Sequence, residues 1–182
     1  MFQDVMIDLE TLGKRAGCAI LSIGAVAFNV EELGPELYVV VNRQSCKENN
    51  LHEDESTLKW WESQSEEARK VLIEASSEDR SLHLHHALDS LTVYLNQFPR
   101  KSVRIWGNGS DFDTPILVAA YAAAGQDPPW NFWNSRCYRT LKGMDGTKPS
   151  ARAGTYHNAL DDAKTQALHL QEIIKRREWP LA

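Results

Sequence analysis

From Val5 to Arg43 the chain reads as strands: β-rich runs at Val5 to Glu10, Ala19 to Val30 and Glu36 to Asn42 are punctuated by Gly13, Gly17 and the Gly34-Pro35 pair. This spacing predicts a three-stranded meander. Residues 56 to 98 carry helical periodicity, with Ser56 and Ser63 placed as N-caps and Glu66 three residues after Ser63 completing a capping box. Leu82 to Phe98 is the longest helix expected in that group. A further β-rich run, Val103 to Trp106, meets a Gly107-Asn108-Gly109 loop, and a helix begins near Thr114-Pro115 and stops at Gly125. The last helix, from about His157 to Arg176, has an apolar stripe at Leu160, Ala163, Ala167, Leu170 and Ile174, stepping by three and four. The intervening segment 126–156 reads as loop with one short strand and one short helix. Strands first, then strands alternating with helices, imply a mixed sheet with helices on its faces, in the α/β or α+β class. At 182 residues, a single domain over 1–182 is expected.

Composition narrows the class without changing this outline. With 42% hydrophobic and 25% charged residues the chain has the make-up of a soluble globular protein. Its longest apolar run, Ile116 to Ala124, is far short of the roughly 18 residues of a membrane span. The opening Met1-Phe2-Gln3-Asp4 leads straight into a strand pattern with no basic leader, so a cytoplasmic protein with no membrane association is expected. Cys18, Cys46 and Cys137 are widely spaced and form no CxxC pair, which argues for reduced thiols rather than a disulfide framework or a zinc site. The net charge of −5 excludes a uniformly basic surface. Locally, however, residues 136–152 hold Arg136, Arg139, Lys142, Lys148 and Arg152 against Asp145. That stretch reads either as a track for a phosphate backbone or as a solvated loop.

Three acidic clusters carry candidate chemistry. Residues two apart in a strand share a face, so Asp8 and Glu10 stand side by side, roughly 7 Å apart along the backbone. Two readings fit: a cation sits between them, or they face solvent from an edge strand. Asp111 and Asp113 follow the strand at 103–106, where ligand sites of open α/β sheets collect, although an aspartate before Pro115 also suits a helix N-cap. The third cluster, His157-Asn158-Ala159-Leu160-Asp161-Asp162, heads the last helix. At 100° per residue Asp162 lies roughly 115° from the centre of the apolar stripe and Asp161 roughly 145°, so Asp162 is the better placed to look along the sheet. Acids in a first turn also simply complement the helix dipole. His83, His85 and His86 lack a third ligand and are read as ordinary helix residues.

Taken together, the segments Ile7-Asp8-Leu9-Glu10-Thr11-Leu12, Asn108 to Leu117 and His157-Asn158-Ala159-Leu160-Asp161-Asp162-Ala163 resemble the three exonuclease motifs of the DnaQ-like DEDD superfamily, histidine branch. The resemblance runs from residue 4 to about 174. The stretch from Trp60-Trp61 to Arg69 further resembles the subgroup of phage DexA-type exonucleases and small polyadenylate-directed exoribonucleases. This implies a ribonuclease H-like five-stranded sheet, the first three strands antiparallel in sequence order and the other two parallel to the first. The fifth strand falls somewhere in 130–138.

The resemblance also implies a 3′-5′ exonuclease that releases nucleoside 5′-monophosphates from single-stranded DNA or RNA with a free 3′ end. Asp8, Glu10, Asp113, His157 and Asp162 would be its catalytic residues. The four carboxylates would hold two Mg²⁺ or Mn²⁺ ions and His157 would take a proton from the attacking water. Asp111 and Asp161 fall outside the pattern. Thr11 and Leu12 would contact the terminal nucleotide, Leu12 offering an apolar surface to a base. Of the adjacent tryptophans, Trp61 is the one expected to stack on a base. A homodimer is expected by analogy with relatives. Every motif position is filled, which weighs against a catalytically inactive nucleic-acid-binding module, and the His157-to-Asp162 spacing belongs to the exonuclease motif rather than to endonucleases of the same fold.

Overall fold

The computed structural model describes residues 2–179. Three strands, β1 (Asp4–Thr11), β2 (Ile20–Phe28) and β3 (Leu33–Val40), form the expected antiparallel meander. Four helices follow: α1 (Arg43–Glu48), α2 (Glu55–Glu62), α3 (Glu66–Ala75) and α4 (Leu84–Leu95). Then come β4 (Arg104–Gly107), α5 (Asp113–Ala123), β5 (Ser135–Cys137), α6 (Tyr138–Asp145) and α7 (Ala159–Arg177). The sheet order is β3-β2-β1-β4-β5, with β4 parallel to β1 and β5 parallel to β4. This is the mixed, ribonuclease H-like sheet that the sequence implied.

β1 is the central strand and all eight of its residues are buried, which excludes the edge-strand reading of Asp8 and Glu10. Its two faces serve different layers. Val5, Ile7 and Leu9 join a large core completed by β2 side chains and by Val71, Leu88, Leu91, Leu117 and Tyr121 from α3, α4 and α5. Met6 points the other way, into a smaller core with Val26, Phe28, Trp106, Tyr138 and the α7 stripe Ala163, Ala167, Leu170 and Ile174. Strand alternation therefore puts Asp4, Met6, Asp8 and Glu10 under α7. At the far end of that row Asp4 is consumed structurally, accepting from the Arg104 guanidinium at 2.7 Å and the Trp106 indole at 2.8 Å.

Helix boundaries correct several capping expectations. Ser63 ends α2 rather than starting a helix, and Ser65 is the residue whose hydroxyl accepts from the Ala68 N–H to cap α3. Ser56 lies inside α2, whose N-cap is Asp54. The serine-rich stretch offers several caps, and the one adopted leaves Ala68, Val71 and Ala75 facing the core. α1 was not foreseen: its six residues are too few for a helical period to show, and Asn42 caps it through the Ser45 N–H. β5, of three residues, is shorter still, held as a strand by pairing with β4 more than by its own pattern.

Gly24 sets how close α7 comes to the sheet. It pairs with Asp8 across β1 and β2, and a Cβ there would lie 2.1 Å from the Ala159 carbonyl carbon. Only glycine lets the first turn of α7 rest on β2 beside Asp8. We expect Gly24→Ala to lose about 1–3 kcal/mol, the usual cost of overpacking, and to lower the melting temperature by several degrees. Gly143→Ala, on α6 with open space around it, is the control and should be neutral or slightly stabilising. Thermal unfolding followed by circular dichroism checks both; equal melting temperatures would remove Gly24 from this role.

Candidate active site

β1 outruns its parallel neighbour. β4 pairs with β1 only from Asp4 to Met6, so the backbone of Leu9 projects beyond the end of β4. Asp113, the first residue of α5, fills that gap: its carboxylate accepts the Leu9 N–H at 3.2 Å and the Asn108 N–H at 2.6 Å. Gly107 makes room, since a Cβ there would stand 2.9 Å from an Asp113 oxygen. Asp113 is only 1% exposed and is thus anchored from beneath, at the carboxyl ends of two parallel strands.

The head of α7 brings in the third cluster. Asn158 caps the helix, accepting from the Leu160 and Asp161 N–H groups, both at 3.1 Å. His157 just before it has φ +61, a left-handed conformation, and donates its backbone N–H to Asp162 Oδ2 at 3.0 Å. The two neighbouring acids divide the work. Asp161 turns back to accept the Thr155 N–H at 2.7 Å and holds the incoming loop, while Asp162 turns to the sheet. Asp162, the member of the pair that the angular argument from the sequence favoured, is the one that lines the pocket. Asp162 also accepts from Arg152 at 2.7 Å, and the Arg152 guanidinium lies over the Tyr156 ring at 3.8 Å.

These elements converge on a pocket of about 370 Å³ lined by Asp8, Glu10, Thr11, Trp60, His157, Asp162 and Gln166, among others. Glu10, His157 and Asp162 each present a ligand atom, all within 4.8 Å of one another, so together they could hold a metal ion. Asp8 lines the same pocket and accepts from Gln166 Nε2 at 2.6 Å. Asp113 sits behind them and acts electrostatically on Asp8 and Glu10.

Two substrate expectations are corrected. Trp61 is buried, its indole N–H bound to the Thr11 carbonyl at 2.9 Å, so it serves as a wall and cannot stack on a base; Trp60, 42% exposed, presents the accessible ring. Trp60 also packs edge-on against His157, ring centres 4.9 Å apart. Leu12 is wholly inside the main core and offers no surface to a ligand, because the chain turns after Thr11 and buries it. Thr11 does reach the pocket, its hydroxyl donating to the Gly13 carbonyl. Gln166 was not anticipated, whereas Trp60 was weighed with Trp61 as a stacking ring and passed over. Gln166 lies one turn after Asp162 on the same side of α7, a spacing that could have pointed to it. The three cysteines are free thiols, as expected. Among the described residues no helix is long and apolar enough to cross a membrane.

Crowding these carboxylates away from water is unfavourable, and their proton affinities record it. Burial, followed by Asp113, Glu10 and Asp162, holds Asp8 well above the usual aspartate range, opposed by the Gln166 hydrogen bond. Burial and then Asp162 and Asp113 push Glu10 to about 8, opposed by Arg152. Burial raises Asp113 to about 6 against its backbone hydrogen bonds. A raised carboxyl pKa means that the folded protein holds the proton more tightly than the unfolded chain. Its stabilising contribution is full at low pH and is lost as pH rises through the folded value. In EDTA the melting temperature should therefore fall between about pH 5 and pH 8, and Mn²⁺ should restore it most at the upper end. Glu10→Gln should raise the pH 8 melting temperature in EDTA by several degrees and weaken the Mn²⁺ response. Scanning fluorimetry across pH checks this, and a flat wild-type profile with no Mn²⁺ effect would dismiss the carboxylate cluster as a cation site.

The chain is similar to known nucleases over most of its length. A family model described as the 3′-5′ exoribonuclease Rv2179c-like domain matches residues 3–174. An exodeoxyribonuclease of Enterobacteria phage T4 is 29% identical over 162 residues, covering 75% of this chain and 69% of the phage protein. Among solved structures, exonuclease X in complex with 5′ overhanging duplex DNA superposes with a TM-score of 0.60 at 16% identity, over 97% of this chain and 94% of that one. A full-length 3′-exonuclease superposes with a TM-score of 0.63 at 15% identity, over 97% and 83% respectively. At such identities the two structures speak for the fold alone. The family match spans nearly the whole chain, and the protein belongs to the 3′-5′ exoribonuclease Rv2179c-like family of the DnaQ-like superfamily, as a 3′-5′ exonuclease acting on nucleic acid.

Proposed function

We propose that the protein hydrolyses single-stranded DNA or RNA from the 3′ end, one nucleoside 5′-monophosphate at a time, and depends on divalent cations to do so. The observation that carries this reading is the convergence of Glu10, His157 and Asp162 within 4.8 Å, beside buried carboxylates whose proton affinities are raised first by burial and, at Asp8 and Glu10, also by neighbouring acids. The carboxylate oxygens of that cluster fit Mg²⁺ or Mn²⁺, and in this reading His157 stays unligated beside them as a base. Asp8, Glu10, Asp113 and Asp162 would hold two such ions. When bound, they supply Lewis-acid stabilisation of the phosphodiester and acidify the attacking water.

The remaining steps belong to the chain itself. His157 takes the proton from the attacking water, whose oxygen bonds to phosphorus as the bond to the leaving 3′-oxygen breaks; that oxygen takes up a proton from solvent to leave as a hydroxyl, and His157 returns its own proton to solvent. The imidazole is kept in place by the edge of Trp60 and by the His157 N–H bond to Asp162. Gln166 fixes one Asp8 oxygen and leaves the other for a cation. Thr11 and the exposed face of Trp60 border the space for the terminal nucleotide, with Trp60 rather than Trp61 in the stacking role. Arg152, paired with Asp162, offsets part of the negative charge.

Digestion of matched 5′-labelled DNA and RNA oligonucleotides tests the reading, since the family name denotes one sugar and the phage relative's the other. A ladder shortening from the 3′ end in Mg²⁺ or Mn²⁺, abolished by EDTA, is expected. Cleavage of a circular single strand, or full activity in EDTA, would defeat it. His157→Ala should lower kcat by about 10²- to 10⁴-fold with little change in substrate affinity or stability. Near wild-type turnover from a folded variant would remove His157 from the chemistry.

A further inference from the structure

Two grooves leave the pocket on opposite sides. One shares His157 with the pocket and is lined by Tyr38, Glu67, Lys70, Glu74 and Asn158, two carboxylates against one ammonium. A phosphate backbone would be repelled there. On the other side the loop after β4 acts as a thin wall: Asn108 and Phe112 line the pocket, while Gly109 and Ser110 line a groove of about 420 Å³. The opposite wall of this groove comes from Pro115 and Val118 of α5 and from Arg136 beside β5's Ser135. Val118 and Ser135 continue into a second cleft of about 280 Å³ bordered by Pro128, Phe132 and Trp133.

The side chains along this path are unusual for a surface without a partner. Phe132 is 82% exposed and Trp133 61%, their rings edge to face at 4.9 Å. Contiguous exposed apolar groups of this size mark interaction sites. Arg136 donates to the Trp133 and Ser135 carbonyls at 2.8 and 3.0 Å, which fix its guanidinium without cancelling its charge. The Arg139 guanidinium carbon and an Asp111 carboxylate oxygen each lie 3.6 Å from where a Cβ on Gly109 would be, so this cation stands against the wall with one acid beside it. Among the described residues no carboxylate lines either groove. A second copy of the chain seated here would bury Arg136 without an acid from these walls to meet it, whereas a polyanion would meet arginines and aromatic rings in succession.

We propose that the surface from Gly109 and Arg139 past Arg136 to Phe132 and Trp133 is the track for the nucleotides lying 5′ of the one being removed. Resting on the exonuclease reading, it assigns the strand's path away from the site. The arginines meet phosphates, and the two rings stack on bases whatever their identity.

The test is fluorescence anisotropy with 5′-fluorescein oligonucleotides of three and ten nucleotides, in EDTA so that the strands stay intact. The wild type should bind the longer strand about tenfold or more tightly than the shorter. Phe132→Ala/Trp133→Ala should remove most of that gain, since each stacked base is worth roughly tenfold. Arg136→Ala/Arg139→Ala, an independent variant, should reduce the slope of log affinity against log salt by about 1.4, or roughly 0.7 for each phosphate that is no longer neutralised. Unchanged length dependence and salt slope in both folded variants would overturn the track while leaving the exonuclease reading intact if the wild type still produces the 3′ ladder. Conversion of a dimer to a monomer by either variant, with strand affinity unchanged, would reassign the surface to subunit contact. A wild type that neither binds nor degrades either strand would sink both proposals.

Discussion

Asp8 and Glu10 lie on the central strand of the sheet, under a helix, where little water reaches their charges. Ordinary folding would place apolar side chains at both positions, as it does at Met6 on the same face. Retaining two carboxylates there, with Asp113 behind and Asp162 above, costs stability unless a positive charge enters or protons are taken up. Much of the architecture around β1 can be understood as holding that charge cluster in place while the core on the opposite face of the sheet supplies the compensating stability.

The supports come from different depths. Beneath, β4 stops short of β1 and Asp113 takes the hydrogen-bonding place a longer strand would have used, so the termination of one strand becomes the seat of a buried carboxylate. Above, Gly24 admits the first turn of α7 against β2, and the cap at Asn158 sets the turn in which Asp162 faces inward. Gln166, one turn on, ties that helix to Asp8. No single element makes the pocket; β1, the β4–α5 junction and the head of α7 each bring part of it, and the α2 tryptophans close one side.

The same junction organises the surface outside. The loop from Gly107 to Phe112 separates the acidic pocket from a neighbouring groove with arginines and exposed rings. Buried carboxylates thus gather in the pocket, while Arg136 lies beyond the wall in a groove whose lining has no carboxylate among the described residues. The negative net charge is no obstacle to a polyanionic substrate when its distribution is uneven in this way.

The order and spacing of Asp8, Glu10, Asp113, His157 and Asp162, the antiparallel meander and the long final helix were legible along the chain, because period-two and period-3.6 patterns and short motifs are local properties. Local pattern also favoured Asp162 over Asp161. Other features depended on neighbours distant in sequence. Whether β1 is central or at an edge is settled by which strands pair on either side of it, and that alone turns two strand carboxylates from solvated groups into buried, mutually repelling ones. Which tryptophan is free depends on the Thr11 carbonyl that captures Trp61, fifty residues away, and Leu12 became core only because the chain turns inward after β1. The three-residue β5 and six-residue α1 are too short to show a period and exist through their partners. Residue chemistry was written in one dimension; exposure and the direction of each group were decided by packing in three.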